Sequence, residues 1–576
     1  MCRQVCAWNS KSRRLIWKWL HNNKSEFKVK TIAGFLFSLF VAIFSSPSAA
    51  QQFDVLIING RILDGSGNPW FRGDVGIRDG RIVAIGKLSQ NPATQTIDAH
   101  DLIVSPGFID MMGGDSLPLI LNRPSAASKV LEGVTTMMVG EGDSPAPQNE
   151  ETLSRLQQQQ HFSFAWTNYS EYFDILTQQR IALNVVHNIG AAQVRKLVIG
   201  DNDVVPTSKQ LDAMQRLVAQ AMDEGCVGLS TALIYPPGSY AKTSEIIALA
   251  TVAARYGGVY LSHVRNESNG LLSAIQEVIE IGKQARIPVH IYHLKAAGQE
   301  DWGLVPKALS LIEQARHDGV DITADAYPYI YNGIGLSSFI GPWHFSKGRK
   351  PFLQTLSDPA VRTSLKTEIE TRADWENWYL HVGRDWNNVL VADAPAGVDP
   401  NFAGKSIAQI AALKHTDDWS AFFDIVQSGE VTVDPKSMNE EQKREIYSKD
   451  FVSISSDAAP IDLVSGAHTH PRAFGTFPRI LAEYVRDEHV MTLPSAIRAM
   501  TSLPAAQLGL RDRGHIAVGM AADIVIFDPD KVQDTASYAQ PASYPVGIEY
   551  VFVNGQLAAD KGKFTNVLAG QVIRHH

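Results

Sequence analysis

The chain has 576 residues, of which 45% are hydrophobic and 19% charged, an ordinary globular composition that allows a large buried core. Its 52 basic and 60 acidic residues give a net charge of −8, which argues against nucleic acid or anionic lipid as the partner. The length allows one large domain beside a smaller one.

Residues 1–50 have the pattern of a secretory signal peptide. Basic residues run from Arg3 to Lys30, an apolar stretch covers Ile32–Phe44, and small residues at 48–50 suit a cut after Ala50. The 13 apolar residues are too few to span the hydrocarbon core of a membrane, which needs about 20. We therefore expect cleavage and export to the periplasm, with secretion as the alternative and no stable membrane insertion of the mature chain.

Cleavage would change both the charge and the cysteine content. The first 50 residues hold eight basic residues and one acidic residue, so the mature chain would carry −15. Cys226 would be the one remaining cysteine, which excludes an intrachain disulfide. Because Cys226 lies in an apolar segment, we expect a buried and inert thiol.

The two ends of the chain share a pattern of short strands and tight turns. Near the N-terminus, Asp54–Ile58 precedes an Asn-Gly turn, and Asp79-Gly80 is typical of a hairpin. Near the C-terminus, Ala522–Asp528 and Tyr550–Val553 repeat the pattern. The sequence predicts that residues 51–101 and 513–576 together form a small β-sandwich domain.

Between these ends, apolar runs alternate with helical segments such as Ser208–Glu224 and Leu271–Ala285. Short, nearly continuous apolar runs are typical of strands buried on both faces. Eight of them predict a (β/α)₈ TIM-like barrel over residues 102–512, with an open doubly wound sheet as the alternative. The segment 331–450 is expected to be an insertion with its own helices, acting as a lid or substrate loop. The eight candidate strands are Leu102–Ile109, Val134–Val139, Ile181–Val186, Cys226–Thr231, Gly258–Leu261, Ile287–Tyr292, Val320–Ala324 and Phe451–Ser455.

Polar side chains follow three of these strands, at the barrel end where catalytic residues collect. His263 follows the fifth strand, His293 the sixth and Asp457 the eighth. Neutral imidazoles are zinc ligands, and a carboxylate can accept a proton from a metal-bound water. We therefore predict a metal site with Asp457 as the catalytic base.

Two choices among neighbouring residues are open to test. Alternation along the sixth strand puts His293 on one face with Val289 and Ile291, so His290 is expected to pack under a helix. Glu141 lies in a glycine-flanked turn after the second strand and would complete a three-ligand zinc site. Asp143 is the alternative ligand, and a purely structural glutamate is the other interpretation.

A set of motifs resembles the N-acyl-D-amino-acid deacylase (D-aminoacylase) family in order and spacing, over about residues 53–573. Together these motifs are highly specific, although the Gly-Met-x-Ala-Asp motif alone marks the wider amidohydrolase superfamily. They are Pro106–Asp110, Gly133–Thr136, Gly228–Thr231, Ile234–Ala241, Ser262–Glu267, His293–Lys295, Asp325–Tyr329, His470–Arg472 and Gly519–Val525.

The resemblance implies a function and a set of roles. His263 and His293 would hold a catalytic zinc, and Asp457 would act first as general base and then as the acid that protonates the leaving amine. Lys295, Tyr327 and Arg472 would contact the substrate carboxylate or the scissile carbonyl, with a structural salt bridge as the alternative for Arg472. The implied reaction is zinc-dependent hydrolysis of a small N-acyl-D-amino acid to a carboxylate and a D-amino acid.

The sequence also departs from the family pattern. Met112 and Gly114 stand where the family has His-x-His on the first strand, and the loop around Glu141 has no cysteine ligand. A thioether and a glycine cannot replace two imidazoles around zinc, so we predict one zinc ion per chain, with Glu141 in the place of the cysteine. The alternatives are a related amidase or dipeptidase with another substrate, and a degenerate binding protein without catalysis.

Overall fold

The computed structural model describes residues 52–122, 125–346, 348–392, 398–429, 431–463 and 469–575. The predicted signal peptide, residues 1–50, lies outside these described residues. Within them, every helix is too short or too polar to cross a membrane. Cys226 is buried, as predicted from its apolar segment.

The strands are numbered in chain order through the described residues. They are β1 (Phe53–Ile62), β2 (Phe71–Arg78), β3 (Arg81–Gly86), β4 (Ala93–Asp98), β5 (Ile103–Pro106), β6 (Phe108–Asp110), β7 (Val134–Val139), β8 (Asn184–His187), β9 (Ile189–Gly190), β10 (Gly228–Ala232), β11 (Val259–His263), β12 (Val289–Ile291), β13 (Ile322–Ala326), β14 (Ile334–Gly335), β15 (Val389–Val391), β16 (Thr432–Pro435), β17 (Val452–Ile454), β18 (Ile524–Phe527), β19 (Ile548–Val553), β20 (Gln556–Asp560), β21 (Lys563–Phe564) and β22 (Val572–Ile573).

Several helices begin at a side-chain cap, as at Thr207, which forms a capping box with Gln210 in the first turn of Ser208–Asp223. The predicted helix Leu271–Ala285 is confirmed residue for residue. The α-helices are Leu117–Leu121, Ala126–Val130, Glu150–Gln160, Tyr169–Gln179, Ala191–Ile199, Ser208–Asp223, Thr243–Arg255, Leu271–Ala285, Val305–His317, Arg349–Thr355, Pro359–Thr371, Trp378–His381, Ile407–Lys414, Asp418–Ser428, Glu440–Tyr447, Arg472–Arg479, Leu493–Met500 and Ser502–Gln507.

Strands from both ends of the chain form one sheet, which is nine-stranded in the described part of the chain. The link between the two ends is β5, which pairs with β1 in parallel and with β18 in antiparallel, where Val104 faces Ile526. Apolar side chains from both ends, including Ile57, Ile77 and Phe552, make a separate core beneath this sheet. The pairing of the two chain ends agrees with the strand pattern of the sequence.

The barrel consists of parallel strands in two runs, β6-β7-β8 and β9-β10-β11-β12-β13-β17, counted over the described residues. β8 and β9 are consecutive segments of one strand position, so the runs join. The ring closes through Ser456, just after β17, whose backbone N–H and hydroxyl both donate to the Asp110 carboxylate at the end of β6. A buried ion pair between Lys129 and Asp110, 2.9 Å long, supports this closure. The predicted eight-position barrel is confirmed.

The prediction that Leu102–Ile109 forms one continuous first strand is wrong. It is divided into β5, which belongs to the small sheet, and β6, which belongs to the barrel. The division falls at Pro106-Gly107, because proline has no N–H for a ladder and the Gly107 N–H donates to the Asp523 carbonyl of the small domain.

The insertion has its own helices, as predicted, and also a small antiparallel sheet in the order β14-β16-β15. Aromatic side chains dominate its separate core, in which Trp386 stacks against both Phe339 and Phe422. The insertion is therefore a packed structure in its own right, and it presents a preformed surface to the barrel.

Candidate metal centre and active site

Glu141, His263 and His293 converge at the carboxyl ends of the barrel strands. Oε1 of Glu141 lies 2.7 Å from Nδ1 of His263 and 3.2 Å from Nε2 of His293. The two imidazole rings are nearly perpendicular, at 84°, with centroids 4.4 Å apart. The potential ligand atoms of the three residues all lie within 4.8 Å of one another. The structure thus brings together the three residues that the sequence predicts as metal ligands.

Glu141 reaches this point because the chain turns sharply after β7. Gly140 and Gly142 adopt φ angles of 105° and 74°, and the Asp143 N–H donates to the Glu141 carbonyl over 2.8 Å. A side chain on Gly142 would collide with the backbone at Ala232. Asp143 points elsewhere, since both its carboxylate oxygens accept from Lys196 at 2.7 Å. The geometry therefore favours Glu141 over the alternative ligand, Asp143.

His293 lies two residues beyond β12, in a left-handed conformation with a φ of 34°. Its backbone N–H donates to Oδ1 of Asp325 over 2.8 Å, which holds the turn in place. Strained backbone of this kind costs about 1–3 kcal/mol and persists where the surrounding contacts impose it. The turn, and not the alternation of the strand, directs His293 into the site.

The expected packing of His290 under a helix is wrong. Val289 contacts the helix Leu271–Ala285 through Gly282, so the helix-facing side of β12 belongs to Val289 and Ile291. His290 points the opposite way and is fully buried. Its Nδ1 lies 2.8 Å from Oγ1 of Thr323 and its Nε2 lies 2.7 Å from Oδ2 of Asp325. His290 therefore supports Asp325, which in turn holds His293.

Glu267 and Lys295 stand behind His293. Lys295 Nζ donates to Oε1 of Glu267 over 2.5 Å and lies 2.8 Å from Nδ1 of His293, while Glu267 Oε1 lies 3.0 Å from the same imidazole nitrogen. A carboxylate at the far nitrogen of a metal-ligating histidine fixes the orientation of the ring. Glu267 was not singled out in the sequence, although it ends the Ser262–Glu267 motif four residues after His263.

The electrostatics of the cluster favour a positive charge at its centre. Burial raises the pKa of Glu141, but hydrogen bonds to His263 and His293 outweigh burial and lower it to about 2. Burial and Lys295 lower the pKa of His293, but Glu267 and Glu141 outweigh them and raise it to about 10. Two carboxylates thus stabilise a cation at the imidazoles, and a proton and a divalent metal ion compete for that position.

The donor set fits zinc. Two imidazole nitrogens and one carboxylate oxygen match the three protein ligands of many catalytic zinc sites. His263 faces Glu141 through Nδ1, and its Nε2 is buried without a hydrogen-bond partner among the described residues. That nitrogen belongs to a second possible group, His263, Glu267 and Glu376, in which Oε2 of Glu267 lies 3.8 Å from Nε2 and is also unpartnered. The second group offers one imidazole, whereas the Glu141 group offers two. We therefore assign the Glu141–His263–His293 group as the candidate metal centre.

The two positions that depart from the family pattern offer no further nitrogen ligand. Met112 is 3% exposed and packs in an apolar cluster with Ile109 and Met138. Gly114 has a φ of 71°, and a Cβ there would lie 2.7 Å from the backbone nitrogen of Ala459. A histidine at position 114 would require the backbone around Ala459 to move.

Asp457 lies three residues after β17 and shares a small cavity with the candidate metal centre. Burial raises its pKa, and the nearby Arg472 guanidinium, whose Nη1 lies 2.6 Å from Oδ2, partly offsets the rise. Asp457 also has a left-handed φ of 50°. The predicted base is thus held beside the predicted ligands.

The three residues predicted to bind substrate differ in their access to this cavity. Lys295 lines it, but Tyr327 and Arg472 are not among the described residues that do. The Tyr327 ring is buried beneath the Arg472 guanidinium, 4.8 Å away, and Arg472 forms the salt bridge that the sequence left as its alternative role.

Two cavities meet at this end of the barrel. The inner one, about 30 Å³, has room for roughly one water molecule and is lined by Glu141, His263, His293, Lys295 and Asp457. A cleft of about 810 Å³ lies outside it. Tyr235 and Trp378 line both, so they form the boundary between the inner cavity and the cleft. Neither residue was singled out in the sequence.

Comparison with known proteins supports the same chemistry. Residues 95–559 match the model of the amidohydrolase family, and residues 41–108 match that of the N-terminal domain of the urease alpha-subunit. N-acyl-D-glutamate deacylase of Alcaligenes xylosoxydans xylosoxydans is 34% identical over 88% of this chain and 93% of its own length. D-aminoacylase of the same organism is 32% identical over 92% of this chain and 99% of its own length.

The fold has a solved counterpart of similar extent. The crystal structure of N-acyl-D-glutamate deacylase from Bordetella bronchiseptica, complexed with zinc and a phosphonate inhibitor, superposes with a TM-score of 0.76 and is 31% identical. The superposition covers 91% of this chain and 100% of that one.

Proposed function

This chain belongs to the N-acyl-D-amino-acid deacylase family of amidohydrolases and hydrolyses amide bonds, and on that premise we propose that it is a zinc enzyme that cleaves N-acyl-D-amino acids. The products are a carboxylate and a free D-amino acid. The observation that carries the proposal is the convergence of Glu141, His263 and His293 on one point, with Asp457 lining the same cavity.

Glu141, His263 and His293 would hold one zinc ion. Bound there, zinc would supply a Lewis acid and lower the pKa of a water toward roughly 7. Glu267 keeps His293 in a fixed orientation from behind, since its carboxylate contacts the imidazole nitrogen that faces away from Glu141.

Asp457 moves the proton in this proposal. Its ionised carboxylate accepts a proton from the attacking water, whose oxygen adds to the amide carbonyl carbon. Asp457 then donates that proton to the amide nitrogen as the carbon–nitrogen bond breaks, which releases the amine. The salt bridge to Arg472 favours the ionised carboxylate that the first step requires.

Lys295 is the cation best placed to meet the substrate. It lines the inner cavity together with the candidate ligands and Asp457, so its ammonium group can reach a carbonyl held there. Arg472 and Tyr327 do not line the inner cavity but lie behind Lys295. They add a positive charge and a buried phenol to the Lys295 side of the cavity. We assign this side to the substrate carboxylate.

The test is hydrolysis by the purified mature protein, assayed beside its metal content. We expect about one zinc per chain and release of D-amino acids from N-acetyl-D-amino acids, with the L-enantiomers poorer. Parallel assays with dipeptides and cyclic imides cover the related activities. Zinc-loaded protein that hydrolyses one of those, and no N-acyl-D-amino acid, would contradict the proposal.

A further inference from the structure

We propose that the outer cleft binds the acyl part of the substrate, and that the enzyme therefore prefers long or aromatic N-acyl groups over acetyl. This inference rests on the proposed function. It goes beyond it by naming the acyl group that the enzyme selects and the segment of the chain that selects it.

The two cavities are lined by different residues, and this difference indicates which half of the substrate lies in each. The candidate metal ligands, Asp457 and Lys295 line the inner cavity and do not line the cleft, so the reacting carbonyl and the substrate carboxylate belong on the inner side. Because the inner cavity of about 30 Å³ has room for roughly one water molecule, its volume does not separate the two halves of the substrate, and the choice between them rests on charge: Lys295 and Arg472 lie on the inner side. The acyl group, which extends from the other side of the carbonyl, leaves past Tyr235 and Trp378 into the cleft.

The lining of the cleft suits an apolar guest. Its volume of about 810 Å³ lies in the range of sites that bind small organic molecules. Five aromatic side chains face it, namely Tyr235, Trp343, Phe345, Trp375 and Trp378. Four basic side chains also line the cleft, and each already has a protein partner. Arg265 pairs with Glu277 and two backbone carbonyls, Arg155 with Glu151, Lys196 with Asp143 and Arg349 with the Gly429 carbonyl, so they offer less to an anionic guest than free cations would.

One wall of the cleft is the segment 373–378 of the insertion, which includes the boundary residue Trp378 and is held in position from both sides. The Asn377 amide donates to the carbonyls of Ile369 and Arg372. Trp375 meets Trp343 edge to face, with centroids 5.1 Å apart. The Glu376 carboxylate accepts from the Glu267 N–H at the strand end over 3.0 Å. The cleft is therefore a preformed surface tied to the metal side of the barrel.

The main experiment measures kcat/KM for N-acetyl-, N-butanoyl-, N-hexanoyl- and N-octanoyl-D-glutamate with the zinc-loaded enzyme. We expect a rise of roughly two- to fourfold for each methylene that the cleft buries. A flat or falling series would overturn the inference while leaving the deacylase function intact. A rise with the size of the amino-acid side chain at constant acetyl would also overturn it, because the cleft would then hold the other half of the substrate.

Trp375→Ala tests the wall segment, with Trp70→Ala as the matched control. Trp70 is 43% exposed on the small β-domain and lines neither cavity. We expect Trp375→Ala to lower the octanoyl-to-acetyl ratio of kcat/KM by about tenfold and Trp70→Ala to leave it unchanged. An unchanged ratio in Trp375→Ala would contradict the assignment.

A binding measurement tests the cleft assignment independently of catalysis. Calorimetric titration of the Asp457→Asn protein with the same four compounds should give a Kd that falls with acyl length, and Trp375→Ala in that background should flatten the series. This result would support the cleft assignment even if no N-acyl-D-glutamate were hydrolysed, which would count against the proposed function alone. Equal Kd values for acetyl and octanoyl would overturn the inference.

Discussion

The Arg472 guanidinium donates from Nη1 to Oδ2 of Asp457 over 2.6 Å, and both side chains are largely buried. Asp457 follows the last barrel strand, whereas Arg472 begins the helix Arg472–Arg479. The proposed proton carrier is thus paired with a permanent positive charge from the next element of the chain. This pairing influences both the protonation state and the orientation of Asp457.

Asp457→Asn should keep zinc but lose at least about 10²-fold in kcat, the low end for removal of a general acid–base group. Asparagine preserves the shape of the side chain and cannot accept the proton. The measurement is steady-state kinetics on protein whose zinc content equals that of the wild type. Turnover close to that of the wild type would remove Asp457 from the mechanism.

Arg472→Met should move the acid limb of the pH profile of kcat/KM to higher pH. The base must be ionised, so activity falls as pH drops through its pKa, and burial already raises the pKa of Asp457. Arg472 acts against that rise, so its loss raises the pKa further. Arg472→Lys keeps the charge and should hold the limb near its original position. An acid limb of Arg472→Met at the wild-type position would show that Arg472 has no such effect.

The purified protein should contain about one zinc per chain. Glu141→Ala, His263→Ala and His293→Ala should each lose it, because each removes one of three protein ligands. Met112→Leu should keep the metal, since Met112 packs among apolar side chains and a thioether is a poor zinc ligand. Elemental analysis after dialysis measures the content.

Two outcomes would contradict this ligand assignment. One is two tightly held metal ions per chain. The other is a Glu141→Ala variant with full zinc and activity, which would direct attention to the His263, Glu267 and Glu376 group.

Glu132→Gln should remove a loss of stability that develops as pH rises from about 5 to about 8. Burial raises the pKa of Glu132 from 4.5 to about 8, so between these values the folded chain keeps a proton that the unfolded chain has released. The free energy of unfolding therefore falls as pH rises, by on the order of 5 kcal/mol across the interval. The difference between the calorimetric Tm values at pH 5 and pH 8 should be smaller in the variant than in the wild type. Glu300→Gln, whose side chain is 85% exposed, is the control and should retain the wild-type difference.

The mature protein should begin near Gln51 and lie outside the cytoplasm. The reason is the basic, apolar and small-residue pattern of residues 1–50. N-terminal sequencing of protein isolated from cell fractions measures this directly. A cytosolic protein that retains Met1 would contradict it.

The strand ends could be predicted from the sequence because barrel geometry brings them together. Continuous apolar runs mark buried strands, and the polar residues that follow them meet at one end. Glu141, His263, His293 and Asp457 can be selected on this basis. The path by which His293 enters the site cannot, because it passes through a turn with positive φ that strand alternation does not describe.

The residues contributed by the insertion could not be predicted in the same way. Glu376 and Trp378 reach the site from a region whose position depends on tertiary packing and not on strand order. Their own segment has no periodicity that points toward the barrel. Glu267 stands between the two cases, since it lies in a recognised motif but its contacts with Lys295 and His293 appear only in the folded chain.

The pairing of β5 with β18 joins residues more than 400 positions apart in the chain. During synthesis, the N-terminal strands of the small domain therefore emerge long before their partners. Until those partners arrive, β5 presents an open hydrogen-bonding edge, which is a site for association with other chains. Loss of the last 60 or so residues would make that open edge permanent, so a premature stop codon late in the gene would produce an aggregating protein and not a shortened enzyme.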